Sequence, residues 1–200
     1  MDAEEASLLL ILLNRTKMKG IVFTEFLDLV ESKFGMEMVD EIIENAQLPS
    51  GGVYTAVGTY PFSEMLSLLT QLGKETSIPT DQLLRIYGEH FFTVLKESYS
   101  GLIDTYSDPI ELLSSIENHI HVEVRKIYPD AELPTFEVVE KSEDHLIMIY
   151  KSGRAMHSFG LGLMNMTFDH FKQEATILVE KIKEDGTEVR FNISKKHGEG

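Results

Sequence analysis

The stretch DPIELLSSIENHIHVEVRKIYPDAELPTFEVVEKSEDHLIMIYKS, residues 108–152, decides the fold, because its residue pattern changes from helix to strand. Its first half opens with Asp108 as a candidate N-cap and Pro109 at the first helical position. Apolar residues then recur at three- and four-residue steps, which predicts a helix over Ile110–Ile127. Tyr128 and Pro129 end that helix.

The second half of the stretch predicts a β-hairpin. Phe136–Glu140 and Leu146–Ser152 are short runs rich in β-branched and aromatic residues, and a polar turn separates them. A second hairpin is predicted where Ala175–Lys183 and Glu188–Ser194 flank the turn signal Asp185-Gly186. The apolar residues between the two hairpins predict one more helix; they are Phe159, Leu163, Met166, Phe168 and Phe171.

The chain before this stretch has a helical pattern. Four helices are predicted there from apolar residues at helical spacing and from capping or breaking residues at their ends. They cover Lys19–Phe34, Met36–Asn45, Ser63–Thr76 and Thr80–Tyr99, with a Pro- and Gly-containing loop at 48–52. Helices first and strands afterwards, without βαβ alternation, predict an α+β fold with mainly antiparallel pairing.

Composition excludes several classes of function. The 33 acidic and 18 basic residues give a formal charge of −15, which disfavours partners such as nucleic acid and anionic membranes. The chain has no cysteine, which excludes disulfides, thiolate metal sites and covalent haem attachment through cysteine. With 200 residues, 42% of them hydrophobic, the chain can bury a sizeable core, as a soluble globular protein does.

The N-terminal residues are set apart from the rest. Residues 1–17 precede Met18-Lys19-Gly20, which has the character of a natural start. We expect them to be an extension, either the result of a misplaced start codon or a short extra helix. Their apolar run Leu8–Leu13 is far shorter than the roughly 20 residues that span a membrane. Its acidic flank is also unlike that of a signal peptide. We predict no membrane segment, a cytoplasmic location, and a short tail at 195–200.

Two histidines lie close together in the predicted helix over 110–127. His119 and His121 are two residues apart, so on a helix they point about 200° away from each other and cannot chelate one metal ion together. Periodicity does not choose between them, and a surface or boundary role fits either one. A single histidine that faces an apolar interior suits the axial position of a haem, because the macrocycle supplies four further nitrogens.

A second set of polar residues follows the first predicted hairpin. Tyr150, Ser152 and Arg154 alternate at period two, so we expect their side chains to project from one face of the strand. A guanidinium and two hydroxyls suit carboxylates, since arginine can bind a carboxylate with two parallel hydrogen bonds. The alternative is a strand end that runs into solvent.

Three segments occur in a characteristic order and spacing: Met18-Lys19-Gly20, His121-Val-Glu-Val-Arg-Lys-Ile-Tyr128-Pro129, and Tyr150-x-Ser152-x-Arg154. Together they resemble the H-NOX family of haem-based nitric oxide and oxygen sensors, which includes the haem domain of soluble guanylate cyclase. The resemblance extends from Met18 to about Ser194. It implies one haem-binding domain, 18–194, with a helical part at about 18–128, a sheet-containing part at about 134–194, and haem held between the two.

The resemblance also assigns roles to individual residues. The family's proximal haem ligand lies seven residues before the tyrosine of Tyr-Pro, which is His121 here, and His119 does not fit that spacing. The trio Tyr150, Ser152 and Arg154 takes the role of binding the two propionates of a non-covalent haem b (iron protoporphyrin IX). Pro134 matches the proline that presses on the porphyrin.

The distal side of the implied haem site is apolar in this chain. Family members that hold dioxygen carry a tyrosine nine residues after the tyrosine of the trio, and this chain has Phe159 there. Two other polar or tryptophan positions of that network fall on Phe26 and Phe91. We expect a distal pocket lined by Val22, Phe26, Phe91, Phe159 and Leu163. Dioxygen then lacks a hydrogen bond worth about 1.5–3 kcal/mol, whereas nitric oxide needs none.

The resemblance therefore implies a bacterial gas sensor, not an enzyme, that binds nitric oxide, and also carbon monoxide, through ferrous haem. In the family, nitric oxide weakens the iron–histidine bond on the opposite side of the haem. Because the chain ends about six residues after the last predicted strand, we expect the signal to leave in trans. Stand-alone bacterial members are typically paired with a histidine kinase or a cyclic-di-GMP enzyme.

Two other classes of function remain open at this stage. The first is a haem-free module that binds an apolar ligand or another protein. The second is an enzyme, for which the chain offers no Gly-rich phosphate loop, Gly-x-Ser-x-Gly or His-Glu-x-x-His motif. Asp169-His170 is an isolated pair in a predicted helix.

Overall fold

The computed structural model of the protein describes residues 16–196. These residues form two compact units. The first contains the chain up to Leu83 together with Asp130–Glu132, and the second contains Leu84–Pro129 and the chain from Leu133 onward. The structure combines helices with an antiparallel sheet, so the predicted α+β class is confirmed. The bounds 18–194 of one domain stay a prediction.

The first unit consists mainly of three helices, α1 (Gly20–Phe34), α2 (Met36–Asn45) and α3 (Phe62–Thr76). Each lies within one residue of the predicted bounds. Two three-residue strands that were not predicted, β1 (Lys17–Lys19) and β2 (Thr59–Pro61), pair antiparallel. Strands this short depend on their pairing partner, and period-two alternation cannot be recognised in three residues.

The second unit contains the remaining elements. Helix α4 (Thr80–Ser98), whose first residues belong to the first unit, is followed by α5 (Ser100–Ile103), α6 (Pro109–Ser114), a π-helix (Ile116–Ile120) and α7 (His121–Ile127). The sheet and its helix come next, as β3 (Thr135–Lys141), β4 (His145–Lys151), α8 (His157–His170), β5 (Ala175–Lys181) and β6 (Glu188–Lys195).

The four strands form one antiparallel sheet in the order β3-β4-β6-β5. Both predicted hairpins are confirmed, including the turn at Asp185-Gly186, where Gly186 has a φ of +76° that favours glycine. Alternate residues of the two central strands face the core and are buried. They are Leu146, Met148, Tyr150, Val189, Phe191 and Ile193.

The helix predicted over Ile110–Ile127 is interrupted in the structure, so the prediction of one continuous helix is wrong. Asp108 caps its N-terminus as expected, with Oδ1 accepting hydrogen bonds from the N–H groups of Ile110 and Glu111. The α-helical turn ends at Ser114, and the hydroxyls of Ser114 and Ser115 bond back to the carbonyl of Glu111. Such back-bonding competes with helix hydrogen bonds and bends helices.

Among the described residues, no helix is long and apolar enough to cross a membrane. Of the predicted N-terminal extension, Thr16 and Lys17 are described, and Lys17 begins β1. The apolar run Leu8–Leu13 and most of the predicted tail, residues 197–200, lie outside the described residues.

Candidate functional site

His121 is the first residue of α7, at the junction with the π-helix, and is 8% exposed. Its backbone N–H bonds to the carbonyl of Ile116, the i to i+5 bond that defines a π-turn. Its ring Nδ1 lies 3.0 Å from Oε1 of Glu117. Because a carboxylate only accepts hydrogen bonds, Nδ1 carries the proton, and Nε2 is the ring nitrogen with a lone pair for a metal.

The same Glu117 oxygen accepts a second hydrogen bond. The backbone N–H of Phe136, the second residue of β3, donates to Oε1 over 2.9 Å. One carboxylate oxygen therefore connects the candidate ligand His121 to the first strand of the sheet. Glu117 was not among the predicted site residues, although its position four residues before His121 in a predicted helix could have indicated it.

Burial affects the protonation of His121. Desolvation lowers the pKa of its imidazole below the ordinary value, and this outweighs the opposing effect of the Glu117 carboxylate. The neutral form of the ring is therefore favoured near neutral pH. A neutral imidazole is the form that binds iron.

The structure distinguishes the two histidines that periodicity left open. His119 lies inside the π-helix and is partly buried. Its Nδ1 is hydrogen-bonded to the hydroxyl of Tyr106, in the loop before α6. His119 is therefore engaged with a loop tyrosine, while His121 is buried beside the sheet.

Tyr150 of the predicted trio is buried, at 2% exposure, one residue before the end of β4. Its hydroxyl accepts a hydrogen bond of 2.9 Å from the backbone N–H of Met156. Burial raises the pKa of the Tyr150 phenol above its ordinary value, so the hydroxyl keeps its proton at neutral pH.

The other two members of the trio do not lie on the strand, so the expected period-two alternation through Arg154 is wrong. The strand ends at Lys151, and Ser152–Ala155 form a turn in which Ala155 has a φ of +50°. Ser152 Oγ accepts a hydrogen bond of 3.2 Å from the backbone N–H of Arg154. A local hydrogen bond in this turn, and not the pleat of a strand, therefore holds Ser152 next to Arg154.

One aromatic ring connects His121 with the trio. Phe136 has its ring centroid 6.1 Å from that of His121 and 5.5 Å from that of Tyr150. Pro134 lies two residues before it, partly buried, in the segment that leads into β3. Phe136 was not among the predicted site residues, although its place in the strand that pairs with the strand of Tyr150 in the predicted hairpin could have indicated it.

Two of the five predicted distal residues are in contact within the second unit. The rings of Phe91 on α4 and Phe159 on α8 have centroids 5.5 Å apart, and both contact Tyr87, which the sequence analysis missed. The helices approach closely at two glycines. A Cβ at Gly88 would lie 2.1 Å from the carbonyl oxygen of Phe159, and one at Gly162 would lie 2.2 Å from that of Arg85.

The other three predicted distal residues are placed separately. Leu163 is one helical turn after Phe159 on α8 and packs against the core of the sheet. Val22 and Phe26 are on α1 in the first unit, where Phe26 is buried and Val22 is partly buried. The five-residue distal pocket as a whole stays a prediction.

The donor set fits haem better than a bare metal ion. Among residues 16–196, no group of three or more His, Asp or Glu side chains is arranged to hold a metal ion. His121 is a single neutral imidazole whose other nitrogen is already fixed by a carboxylate. One such ligand suits a cofactor that brings four nitrogens of its own, and the ring of Phe136 contacts both His121 and Tyr150.

Comparison with known families gives the class of protein. The family model described as haem-NO-binding matches residues 19–179. The chain belongs to this family, the H-NOX proteins, which are haem-based gas sensors and not enzymes by themselves. The resemblance inferred from three sequence segments is confirmed.

Solved structures identify particular relatives. A mutant H-NOX protein from K. algicida, in the unliganded Fe(II) state, is 67% identical, with a TM-score of 0.90 over 91% of this chain and 98% of that chain. The H-NOX protein from Shewanella woodyi, in the Fe(II)CO state, is 36% identical, with a TM-score of 0.77 over 92% of this chain and 97% of that chain. The S. oneidensis protein, in the Fe(II)NO state, is 25% identical, with a TM-score of 0.83 over 90% of this chain and 100% of that chain. Comparison with curated proteins gives no match.

Proposed function

We propose that this protein is a ferrous haem sensor that binds nitric oxide selectively over dioxygen, with His121 as the proximal ligand of haem b. The observation that carries the proposal is the buried imidazole of His121, whose Nδ1 is held by Glu117 and whose ring contacts Phe136. His121 would hold the haem through Nε2, and bound haem would supply the iron atom that takes up the gas. Related proteins were solved in Fe(II)NO and Fe(II)CO states.

Tyr150, Ser152 and Arg154 are proposed to bind the haem propionates, with Pro134 against the porphyrin. The geometry supports this for Tyr150 through the ring of Phe136, which contacts both Tyr150 and His121. The turn after β4 supports it for the other two, because a backbone hydrogen bond holds Ser152 and Arg154 together. A guanidinium and hydroxyls are donors that suit a pair of carboxylates.

Selectivity against dioxygen is proposed to come from the apolar distal side. Phe159 occupies the position at which dioxygen-binding members of the family have a tyrosine. Its ring contacts the rings of Tyr87 and Phe91. The side chain of Phe159 has no hydroxyl that could donate a hydrogen bond to a bound gas. Nitric oxide binds ferrous iron without such a donor, so the same pocket retains it.

Output is proposed to reach a separate enzyme, a histidine kinase or a cyclic-di-GMP enzyme, in the bacterial cytoplasm. Release of His121 would allow α7 and the π-helix to relax. These helices would then have two states, with His121 bound or released, and gas binding would shift the balance between them. The partner is supported by the family resemblance. Its test is the kinase or cyclase rate of a candidate partner with the reduced protein before and after nitric oxide.

The experiment that tests the haem assignment is the absorption spectrum of the purified, reduced protein under nitrogen, in air and with nitric oxide. We expect a five-coordinate, histidine-ligated ferrous spectrum that air leaves unchanged and nitric oxide converts. His121→Ala should lose this spectrum, whereas the matched variant His119→Ala should keep it. A colourless protein, or an unchanged spectrum in His121→Ala, would contradict the proposal.

A further inference from the structure

The Glu117 carboxylate connects two elements of the second unit. A single oxygen, Oε1, accepts from the ring of His121 at 3.0 Å and from the backbone N–H of Phe136 at 2.9 Å. Its side chain is 27% exposed, so the pair is partly shielded from water. The two donors lie on different elements, one on α7 and one on β3.

Glu117 lies in the π-helix, directly before α7. The turn containing Glu117 is widened by one residue, as the bond from the His121 N–H to the Ile116 carbonyl shows. From this wide turn the carboxylate reaches both the imidazole at the start of α7 and the backbone of β3. An energetically unfavoured π-turn at this point suggests a functional reason, because such turns are frequent at functional sites.

We propose that Glu117 is a positioning residue that strengthens the bond of His121 to haem iron and so sets how readily nitric oxide releases that histidine. The inference rests on the proposed haem function. A carboxylate that accepts from the far nitrogen of a ligating imidazole fixes its tautomer and orientation and raises its basicity as a ligand. A more basic imidazole binds iron more strongly and is displaced less easily.

The contact with Phe136 adds a mechanical restraint. If His121 moves away from the iron, it must either leave Glu117 or carry it along. The bond from Phe136 holds the carboxylate on β3, so the second course costs a further hydrogen bond. Glu117 therefore opposes release of His121 in two ways. It raises the basicity of the imidazole, and its hydrogen bond from Phe136 attaches the carboxylate to β3.

The test separates charge from geometry with two substitutions. Glu117→Gln retains a side-chain oxygen that can accept both hydrogen bonds but loses the charge, and Glu117→Leu removes both acceptors. Glu123→Gln is the matched control, because Glu123 is in α7 with His121 and its carboxylate pairs with Lys126 instead of His121. The iron–histidine stretching frequency of the reduced protein and the rate of conversion to a five-coordinate nitric oxide spectrum are the readouts.

We expect Glu117→Gln to lower the stretching frequency and to raise the rate of His121 release by about tenfold, the scale typical of outer-shell partners. Glu117→Leu should change both in the same direction and by more, and Glu123→Gln should match the wild type. Identical frequencies and rates in Glu117→Gln and the wild type would overturn the inference. Should Glu117→Leu fail to fold, Glu117→Gln alone decides.

The same measurements keep this inference apart from the proposed function. A wild-type protein that shows no histidine-ligated haem overturns the proposed function and this inference with it. A normal wild-type spectrum combined with an unresponsive Glu117→Gln overturns this inference alone.

Discussion

Phe136 lies directly opposite Tyr150 in the β3–β4 ladder, with their ring centroids 5.5 Å apart in an edge-to-face arrangement. The Phe136 ring also contacts that of His121, with centroids 6.1 Å apart, and the backbone N–H of Phe136 donates to Glu117. This single residue therefore connects the candidate iron ligand, its carboxylate partner and the first member of the propionate trio.

Replacing Phe136 with alanine is expected to lower the free energy of unfolding by about 2–3 kcal/mol, below the usual cost for a fully buried phenylalanine because this ring is partly exposed. It should also shift the spectrum of bound haem, since His121 loses its ring contact. Chemical denaturation and the absorption spectrum measure the two effects. Phe136→Leu, the conservative control, should cost less than about 1.5 kcal/mol. A normal spectrum in Phe136→Ala would show that the ring does not orient His121.

Phe159→Tyr is expected to slow the loss of dioxygen. The new hydroxyl would supply the hydrogen bond that the apolar distal side lacks, worth about 1.5–3 kcal/mol for a polarised ligand. Dioxygen dissociation is measured by stopped-flow absorption of the reduced protein. Tyr87→Phe, which alters a ring in contact with Phe159 without adding a donor, is the control and should leave dioxygen binding undetectable. Undetectable dioxygen binding in Phe159→Tyr would refute the distal model.

Arg154→Ala is expected to speed the loss of haem about tenfold or more. A charge-assisted hydrogen bond to a propionate is worth about 1.5–3 kcal/mol. Haem transfer to an excess of apomyoglobin measures the rate. Lys151→Ala is the matched control, because this exposed lysine, three residues earlier, pairs with Glu137 and Glu188, and surface pairs contribute little. Equal rates in the two variants would remove Arg154 from the propionate site.

Asp108 is expected to stabilise the protein in a pH-dependent manner. Burial raises the pKa of Asp108, but hydrogen bonds from Lys195 and from the N–H groups of Ile110 and Glu111 outweigh it, so the pKa lies below its usual value. Its contribution is therefore complete above pH 3.8, the ordinary pKa, and is lost as the pH falls through the lower folded pKa.

Asp108→Ala should cost about 1 kcal/mol at neutral pH through loss of the N-cap. Asp108→Asn keeps a capping oxygen and should cost less, while losing the charge that pairs with Lys195. Urea denaturation at a series of pH values measures both. The difference between Asp108→Asn and the wild type should shrink as the pH falls below about 4. A difference that is constant with pH would contradict the role of the charge.

Much of the fold could be predicted from local pattern. The four early helices, Asp108 as N-cap, Tyr128-Pro129 as helix stop and the Asp185-Gly186 turn all depend on neighbours within a few residues, and the structure confirms them. Strands β1 and β2 could not be predicted, because each is stabilised by pairing with the other, about 40 residues away in the chain. The break before the π-helix was also missed, since apolar spacing continues through it.

The candidate site divides in the same way. His121 and Tyr150 could be named from spacing within the family motif, and the structure buries both of them. Glu117, Phe136 and Tyr87 were missed because their importance lies in what they touch across the fold. Ser152 and Arg154 were placed on the wrong kind of element, since the strand ends at Lys151. Their propionate role stays a prediction.

The sequence by itself determined the α+β class, the family and the identity of the candidate iron ligand, because these depend on residue types at short, fixed separations. The tertiary structure alone decided which histidine is buried, how its second nitrogen is held and which ring connects it to the trio. A hydrogen bond from Phe136 to Glu117 joins residues 19 positions apart. Such a contact exists only once helix and sheet have packed, and no local pattern of residues encodes it.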